Sequence, residues 1–324
     1  MRRIYFLLFI SFLLSIATAK AQQDPIFSNY HFNALIFNPA YAGSNEHLAL
    51  QLAHRHQWLG FDGAPVTQTL TAHTPLKNER VGLGFALVND QAGAGGKTDM
   101  AVSYAYRMQV GAQKKFKLSM GLQAGVGNWR NRLAQITVEH SDDPSFQQNL
   151  SRWLPNFGAG LYLYSERFYV GLSCPRFFQH NLRDGEGIFA KNYRHLYLST
   201  GAALPLSGDQ LIFRPSLLLQ NAGLFSDTES LDIGAPLSAN IGASLLFRQM
   251  FWAGISYRTA LSGQSSHDSA NLWLAWSLRN GMRFGAAYDL TLSALRHAGS
   301  NSFELMLGYE FDIKVKQVAS PRYF

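Results

Sequence analysis

Beyond a short apolar leader, the chain alternates apolar and polar residues in about fourteen successive segments. Ser302–Asp312 shows the pattern cleanly. Phe303, Leu305, Leu307, Tyr309 and Phe311 share one parity, and Ser302, Glu304, Met306, Gly308, Glu310 and Asp312 the other. Side chains of a strand point alternately to its two faces, so this spacing builds one apolar and one polar face. The pattern predicts strands at 46–57, 64–76, 80–91, 97–109, 114–128, 152–164, 166–176, 194–206, 209–222, 235–247, 250–260, 267–279, 282–292 and 299–313. An even number of strands of roughly ten residues, each with one apolar face, fits an antiparallel up-and-down barrel of the bacterial outer membrane.

The connections point the same way, because short and long ones are expected in strict alternation. The even-numbered ones are tight, among them Lys77–Glu79, Ser207-Gly208, Arg248-Gln249 and Asn280-Gly281. Asn-Gly suits a two-residue hairpin, where both positions need φ > 0. Trp129–Ser151, Phe177–Tyr193 and Gly223–Gly234 are long. Short periplasmic turns opposite long extracellular loops produce this rhythm and place both termini on the periplasmic side. Tyr104, Tyr106, Phe251, Tyr257, Phe284, Tyr288, Phe303 and Phe311 fall at the ends of outward faces, where an aromatic girdle belongs. The polar parity carries glycines (Gly82, Gly84, Gly121, Gly125, Gly158, Gly160, Gly171, Gly201, Gly242) between charges such as Arg107, Arg214, Arg258, Arg283, Asp289, Glu304 and Glu310. Glycine within a strand often marks close approach by another backbone. A lumen this wide holds water or a filling segment.

Residues 1–21 read as a secretory signal peptide. Arg2 and Arg3 precede the apolar stretch Ile4–Ile16, and Ala19-Lys20-Ala21 is a small-x-small cleavage site. Thirteen apolar residues are too few for a spanning helix, which needs about 20. The formal charge of +7 falls to +4 once Arg2, Arg3 and Lys20 are removed, and the cations are scattered, which argues against a nucleic-acid partner. The single cysteine, Cys174, forms no internal disulfide and supplies no multi-cysteine metal site. It falls on an outward parity, as a small hydrophobe. A mean hydropathy of −0.08 is expected of a barrel, whose alternation hides its membrane signal.

Residues 22–45 do not alternate. The segment is dense in aromatics (Phe27, Tyr30, Phe32, Phe37, Tyr41) and in Asn, Asn38-Pro39 breaks any regular element, and Gly43 permits a tight entry into the first strand. Two readings follow: a plug folded into the glycine-lined lumen, or a docking segment for a periplasmic partner. The stretches QQDPIFSNYHFNALIFNPAYAGS (Gln22–Ser44), RHQWLGFDGAPVTQTLTAHTPL (Arg55–Leu76), VGLGFALVND (Val81–Asp90) and the closing SPRYF (Ser320–Phe324) closely resemble the PorP/SprF family of type IX secretion system membrane proteins. The resemblance runs over essentially the whole mature chain. It implies an integral outer-membrane barrel that works in secretion or gliding, supporting export or surface anchoring of an adhesin-like protein. The implied partners are outer-membrane lipid, cargo bearing a type IX C-terminal sorting domain, and periplasmic peptidoglycan-linked components.

The signature positions carried over are Asn38, Pro39, Ala40, Tyr41 and Gly43, then Trp58, Gly60, Phe61, Asp62, Gly63, Ala64 and Pro65. Phe27, Tyr30, Phe32, Asn38, Pro39, Tyr41 and Gly43 are therefore candidate plug or partner-binding residues. Trp58, Gly60, Phe61, Asp62, Gly63 and Pro65 form a candidate extracellular loop, in which the glycines serve as turn formers or as part of a binding surface. His31 stands where the family pattern expects an apolar residue. The expected organisation is a signal peptide (1–21), a plug or docking segment (22–45), a barrel (46–313) and a periplasmic tail (314–324), whose Pro321, Arg322, Tyr323 and Phe324 are available to a partner.

No catalytic constellation is found, so a non-enzymatic protein without cofactor or metal is expected. His54 and His56 lie two apart on one strand face with His73 nearby on the hairpin partner, but they share the outward parity of Leu48, Leu50 and Leu52, and no carboxylate or cysteine joins them at ligand spacing. His267-Asp268-Ser269 has the residue types of a hydrolase triad, yet sequence neighbours do not form that relay. The competing expectation is an outer-membrane channel or transporter for small or hydrophobic solutes, with 22–43 as its gate.

Overall fold

The computed structural model describes residues 27–45, 47–76, 79–111, 113–135, 149–182, 191–208, 210–222, 237–261, 267–293 and 301–311. The signal peptide and the tail residues Pro321, Arg322, Tyr323 and Phe324 lie outside the described residues. Fourteen antiparallel wall strands close into a barrel. They are β1 (Leu48–His56), β2 (Val66–Pro75), β3 (Val81–Ala92), β4 (Gly95–Val110), β5 (Phe116–Asn131), β6 (Leu150–Tyr164) and β7 (Phe168–Cys174). Then come β8 (His195–Ala202, continuing as Leu204–Ser207), β9 (Leu211–Ala222), β10 (Ser238–Phe247), β11 (Phe251–Ala260), β12 (His267–Ser277), β13 (Met282–Thr291) and β14 (Ser302–Phe311). The ladder between β1 and β14 shuts the ring, running from Leu48 opposite Phe311 to His56 opposite Phe303. Closure leaves no open edge, which is the condition for a sheet to stand in lipid. The register shift in β8 falls at Pro205, which has no N–H to give to the ladder.

Face assignment follows the parity of the sequence. Phe303, Tyr309 and Phe311 point outward with exposed Leu305 and Leu307, while Ser302, Glu304 and Met306 are buried inside. Tyr104, Tyr106, Phe251, Phe284 and Tyr288 are exposed on the outer wall. Cys174 shares the outward parity of Leu172 but is buried, with its Sγ 3.3 Å from the Arg176 carbonyl oxygen.

One connection departs from strict alternation. The third is only Gly93 and Ala94, since Ala92 already pairs with Gly95 and Gln91 with Gly96. Gly93 takes φ +54, so the glycine-rich run makes a hairpin turn instead of a loop and lengthens β4 to 16 residues. The other odd connections are longer, and they define a loop end opposite a turn end.

Residues 27–45 lie within the ring. A short helix α1 (Ala34–Phe37) is followed by a 3-10 turn (Pro39–Tyr41), which Asn38 caps by accepting the Ala40 N–H at 2.9 Å. Gly43 sits at the turn end beside Thr74, Pro75 and Gly82. Ser28 sits near the loop end, bonded to residues one to two positions from the ends of β1, β13 and β14. The segment therefore runs the length of the lumen. The amino-terminal end of the described chain is at the loop end, not beside the turns as the strand count alone implied. Parity orders strands but says nothing of the path taken before the first one.

Candidate functional site

The inner wall and the amino-terminal segment form one interface, and its lower half is backbone against backbone. A Cβ built on Gly82 would lie 2.1 Å from the Ala42 carbonyl oxygen, and one on Gly121 would lie 2.2 Å from the Ala40 nitrogen. Gly160 and Gly171 leave the same kind of room for the Asn38 side chain, whose Nδ2 donates to the Leu161 carbonyl at 2.9 Å. Ser119 Oγ donates to the Ala40 carbonyl at 2.7 Å, and Ser173 Oγ to the Phe37 carbonyl at 2.7 Å. The Gly43 N–H donates to His73 Nδ1 at 3.2 Å. Backbone groups of an irregular segment held away from solvent need partners, and wall hydroxyls, a wall carbonyl and an imidazole supply them.

The middle of the interface is aromatic. Phe32 meets Trp252 and Trp273 edge-on, with centroids 5.6 and 5.4 Å away, and the Arg283 guanidinium lies 5.3 Å from its ring. Tyr41 packs between His73 and Tyr162, and Phe37 between Phe27 and Tyr197. Tyr30 donates to Ser216 Oγ at 2.9 Å. Burial raises the Tyr41 hydroxyl above the ordinary phenol value and the Tyr30 hydroxyl well above it, so both are neutral. His31 stacks on Tyr30 and faces Trp273. Burial, helped by the charge of Arg214, pushes its pKa down to about 3. A neutral imidazole thus sits among the aromatic rings of the interface.

The upper end is a buried charge cluster around Ser28. Arg55 on β1 contacts Asp289 on β13 and Ser28 Oγ, and its Nη1 lies 3.5 Å from Glu304 Oε2 on β14. The Ser28 N–H donates to Glu304 at 2.9 Å, and its hydroxyl donates to Asp289 at 2.8 Å. Arg258 Nη2 lies 3.7 Å from Asp289, and Asn271 donates to the other carboxylate oxygen. Arg55 and Asp289 are 2% exposed and Glu304 0%, so each charge depends on the others for solvation. Sequence parity marks Asp289, Glu304 and Arg258 as inward-facing. The role of Arg55 was missed. Its signal is its position between the outward His54 and His56, which turns it into the lumen. A cavity of about 70 Å³ is bordered by Phe27, Phe37, Val88, Leu154, Asn156 and Arg176.

The loop carrying Trp58, Gly60, Phe61, Asp62, Gly63 and Pro65 stands at the loop end and is closely bonded. Gln57 N–H donates to the Pro65 carbonyl, Leu59 N–H to Asn301, Gly93 N–H to Gly63, and the Trp58 N–H to Ser302 Oγ. Trp58 takes φ +47, with Gly60 at +96 and Gly63 at +73. Phe61 is 42% exposed at the apex, beside exposed Gly60, Asp62 and Gly63. The three histidines do not converge. His54 and His56 point outward, whereas His73 is buried against Tyr41. Within His267-Asp268-Ser269, Ser269 is buried and receives Arg258 Nη2 at 2.6 Å, while Asp268 has the outward parity. No group of three metal-ligating side chains occurs among the described residues.

The sequence model of the family described as type IX secretion system membrane protein PorP/SprF matches residues 19–309. A comparison with curated protein sequences finds no match. Among solved structures, the chain is similar to the Acinetobacter baumannii outer membrane protein Omp33, with 8% identity, 82% of this chain and 98% of that one covered, and a TM-score of 0.48. It is similar to the Ralstonia pickettii toluene transporter TbuX (11% identity, 86% and 92% covered, TM-score 0.48). A Pseudomonas aeruginosa FadL homologue is also similar (12% identity, 92% and 97% covered, TM-score 0.47). Likeness at this level says nothing of cargo or solute.

Proposed function

The chain belongs to the PorP/SprF family of type IX secretion system membrane proteins, and from that premise we propose that it supports export or surface anchoring of an adhesin-like cargo. As a member it is an outer-membrane β-barrel component of that system. In this reading it is a non-catalytic platform. The amino-terminal segment plugs the lumen, the loop-end surface meets cargo bearing a type IX C-terminal sorting domain, and the turn end faces peptidoglycan-linked components of the machinery. One observation carries the reading: residues 27–43 occupy the lumen from the Ser28 cluster to Gly82, with wall glycines fitted to their backbone. A conduit needs that space open, whereas an anchor does not.

The test is affinity purification of the tagged protein from outer membranes in mild detergent, with co-purifying proteins identified by mass spectrometry. Sorting-domain cargo or cell-wall-linked secretion components are expected. Recovery of a solitary barrel that restores solute uptake to a deficient strain would favour the transporter reading.

A further inference from the structure

The outer wall is not uniform around its circumference. On β7–β14 the outward positions carry few polar residues among those described: Thr200, Ser207, Asn221, Thr259 and Asp268. On β1–β5 the loop-end rim is polar in register. His54 pairs with Gln68, Gln68 with Asn89, Asn89 with Thr98, and Thr98 with Asn128. Arg130 stands two residues beyond Asn128 on the same face, and its Nη2 donates to Thr98 Oγ1 at 2.9 Å. That hydroxyl in turn donates to Asn89 Oδ1 at 2.8 Å. No Asp or Glu occupies an outward position on β1–β5 among the described residues. Beneath the row, toward mid-membrane, a groove of about 530 Å³ is bordered by Leu52, Leu70, Leu87, Leu305 and Leu307, with His54, Gln68 and Asn89 at its upper edge.

Polar side chains on a lipid-facing wall are costly in hydrocarbon and are tolerated at headgroup depth. Here they form a belt of donors with a guanidinium and no opposing carboxylate, above an apolar groove. That order, anion-seeking above and apolar below, is the order of a lipid molecule. The row spans five strands at roughly 4.8 Å each, wider than a single phosphodiester headgroup but suited to a phosphorylated disaccharide. A guanidinium such as that of Arg130 suits phosphate oxygens through a two-pronged hydrogen bond, and the amides of Gln68 and Asn89 suit sugar hydroxyls. We propose that this sector binds one molecule of the phosphorylated, multiply acylated glycolipid of the outer leaflet. Its headgroup lies along the His54–Arg130 row and one acyl chain lies in the leucine groove.

The experiment is native mass spectrometry of the detergent-extracted barrel titrated with bisphosphorylated lipid A and, separately, with phosphatidylethanolamine. The wild type is expected to retain one lipid A at concentrations where phosphatidylethanolamine is lost. His54→Leu/Gln68→Leu/Arg130→Leu is expected to cut that retention by about fivefold or more, as the loss of several polar contacts implies. Leu272→Ala, on the opposite wall, should leave it unchanged. Leu87→Trp fills the groove while keeping the polar row, and should weaken retention alone. Each variant is checked for the heat-modifiable migration of a closed barrel. Equal retention by the triple variant and the wild type, or equal retention of both lipids, would overturn the site. So would loss of a co-purifying membrane protein in the triple variant with lipid A retention intact.

Discussion

The two ends of the luminal segment are held by different physics. At the turn end, Asn38–Gly43 rests on glycines whose missing side chains are the binding site, so the fit is one of shape and backbone hydrogen bonds. At the loop end, Ser28 is held by two carboxylates and an arginine from three strands, so the fit is one of charge and geometry. A backbone in a glycine-lined wall tolerates no added atom. A polar clasp tolerates added atoms but not an unmatched charge. The contrast makes the turn end the more rigidly fitted end of the segment and the loop end the part that chemistry can loosen.

The largest effect is expected from adding volume at the turn end. In Gly121→Val or Gly82→Val the new side chain meets backbone atoms near 2.2 Å and has no flexible neighbour to displace. The cost should exceed the ~1–3 kcal/mol of ordinary overpacking. Such variants should either fail to assemble or expel the segment, seen as new protease cleavage between residues 27 and 43. Gly95→Ala, where the added carbon meets one atom at 3.4 Å, should assemble normally. Retention of a protected segment in Gly121→Val would break the comparison.

Next in size is Arg55→Met, which strands Glu304 in the wall and leaves Asp289 to Arg258. Removing one partner of a buried ion pair costs about 3–5 kcal/mol. Urea unfolding in detergent should show that loss, and Arg55→Met/Glu304→Gln should recover part of it. Ser28→Ala removes one hydroxyl from the cluster but keeps its charges matched. A loss of about 1–3 kcal/mol is expected, with faster proteolysis at the loop end and none at Asn38–Gly43.

At neutral pH the smallest effect lies between the two ends, at His31, and it grows as the medium is acidified. Its folded pKa of about 3 is below the ordinary value of 6.5, so the unfolded chain binds a proton that the folded one refuses. The stability this preserves is complete above pH 6.5 and is lost as pH falls toward 3. His31→Phe should abolish that component, so the difference in unfolding free energy between wild type and variant should shrink or invert below pH 6.5. A pH-independent difference would contradict the burial.

Much of the wall was legible because a barrel writes its geometry into parity. The inward glycines also signalled close approach: Gly82 and Gly121 face backbone of the segment, and Gly160 and Gly171 the Asn38 side chain. The Ser28 cluster was not legible, because it joins residues as far as 276 positions apart through a register that only closure of the ring fixes. Nor was the direction of the segment, because nothing local distinguishes a chain that enters at the turn end from one that starts at the loop end. The third connection misled because its glycines read as loop when their torsional freedom serves a tight turn.

The central claim is that residues 27–43 close the lumen, and single-channel recording in planar bilayers tests it most directly. The intact barrel is predicted to give no steady conductance, while the same barrel lacking residues 22–43 should give stable, ohmic openings. A steady pore in the intact protein, equal to that of the deletion, would contradict the account.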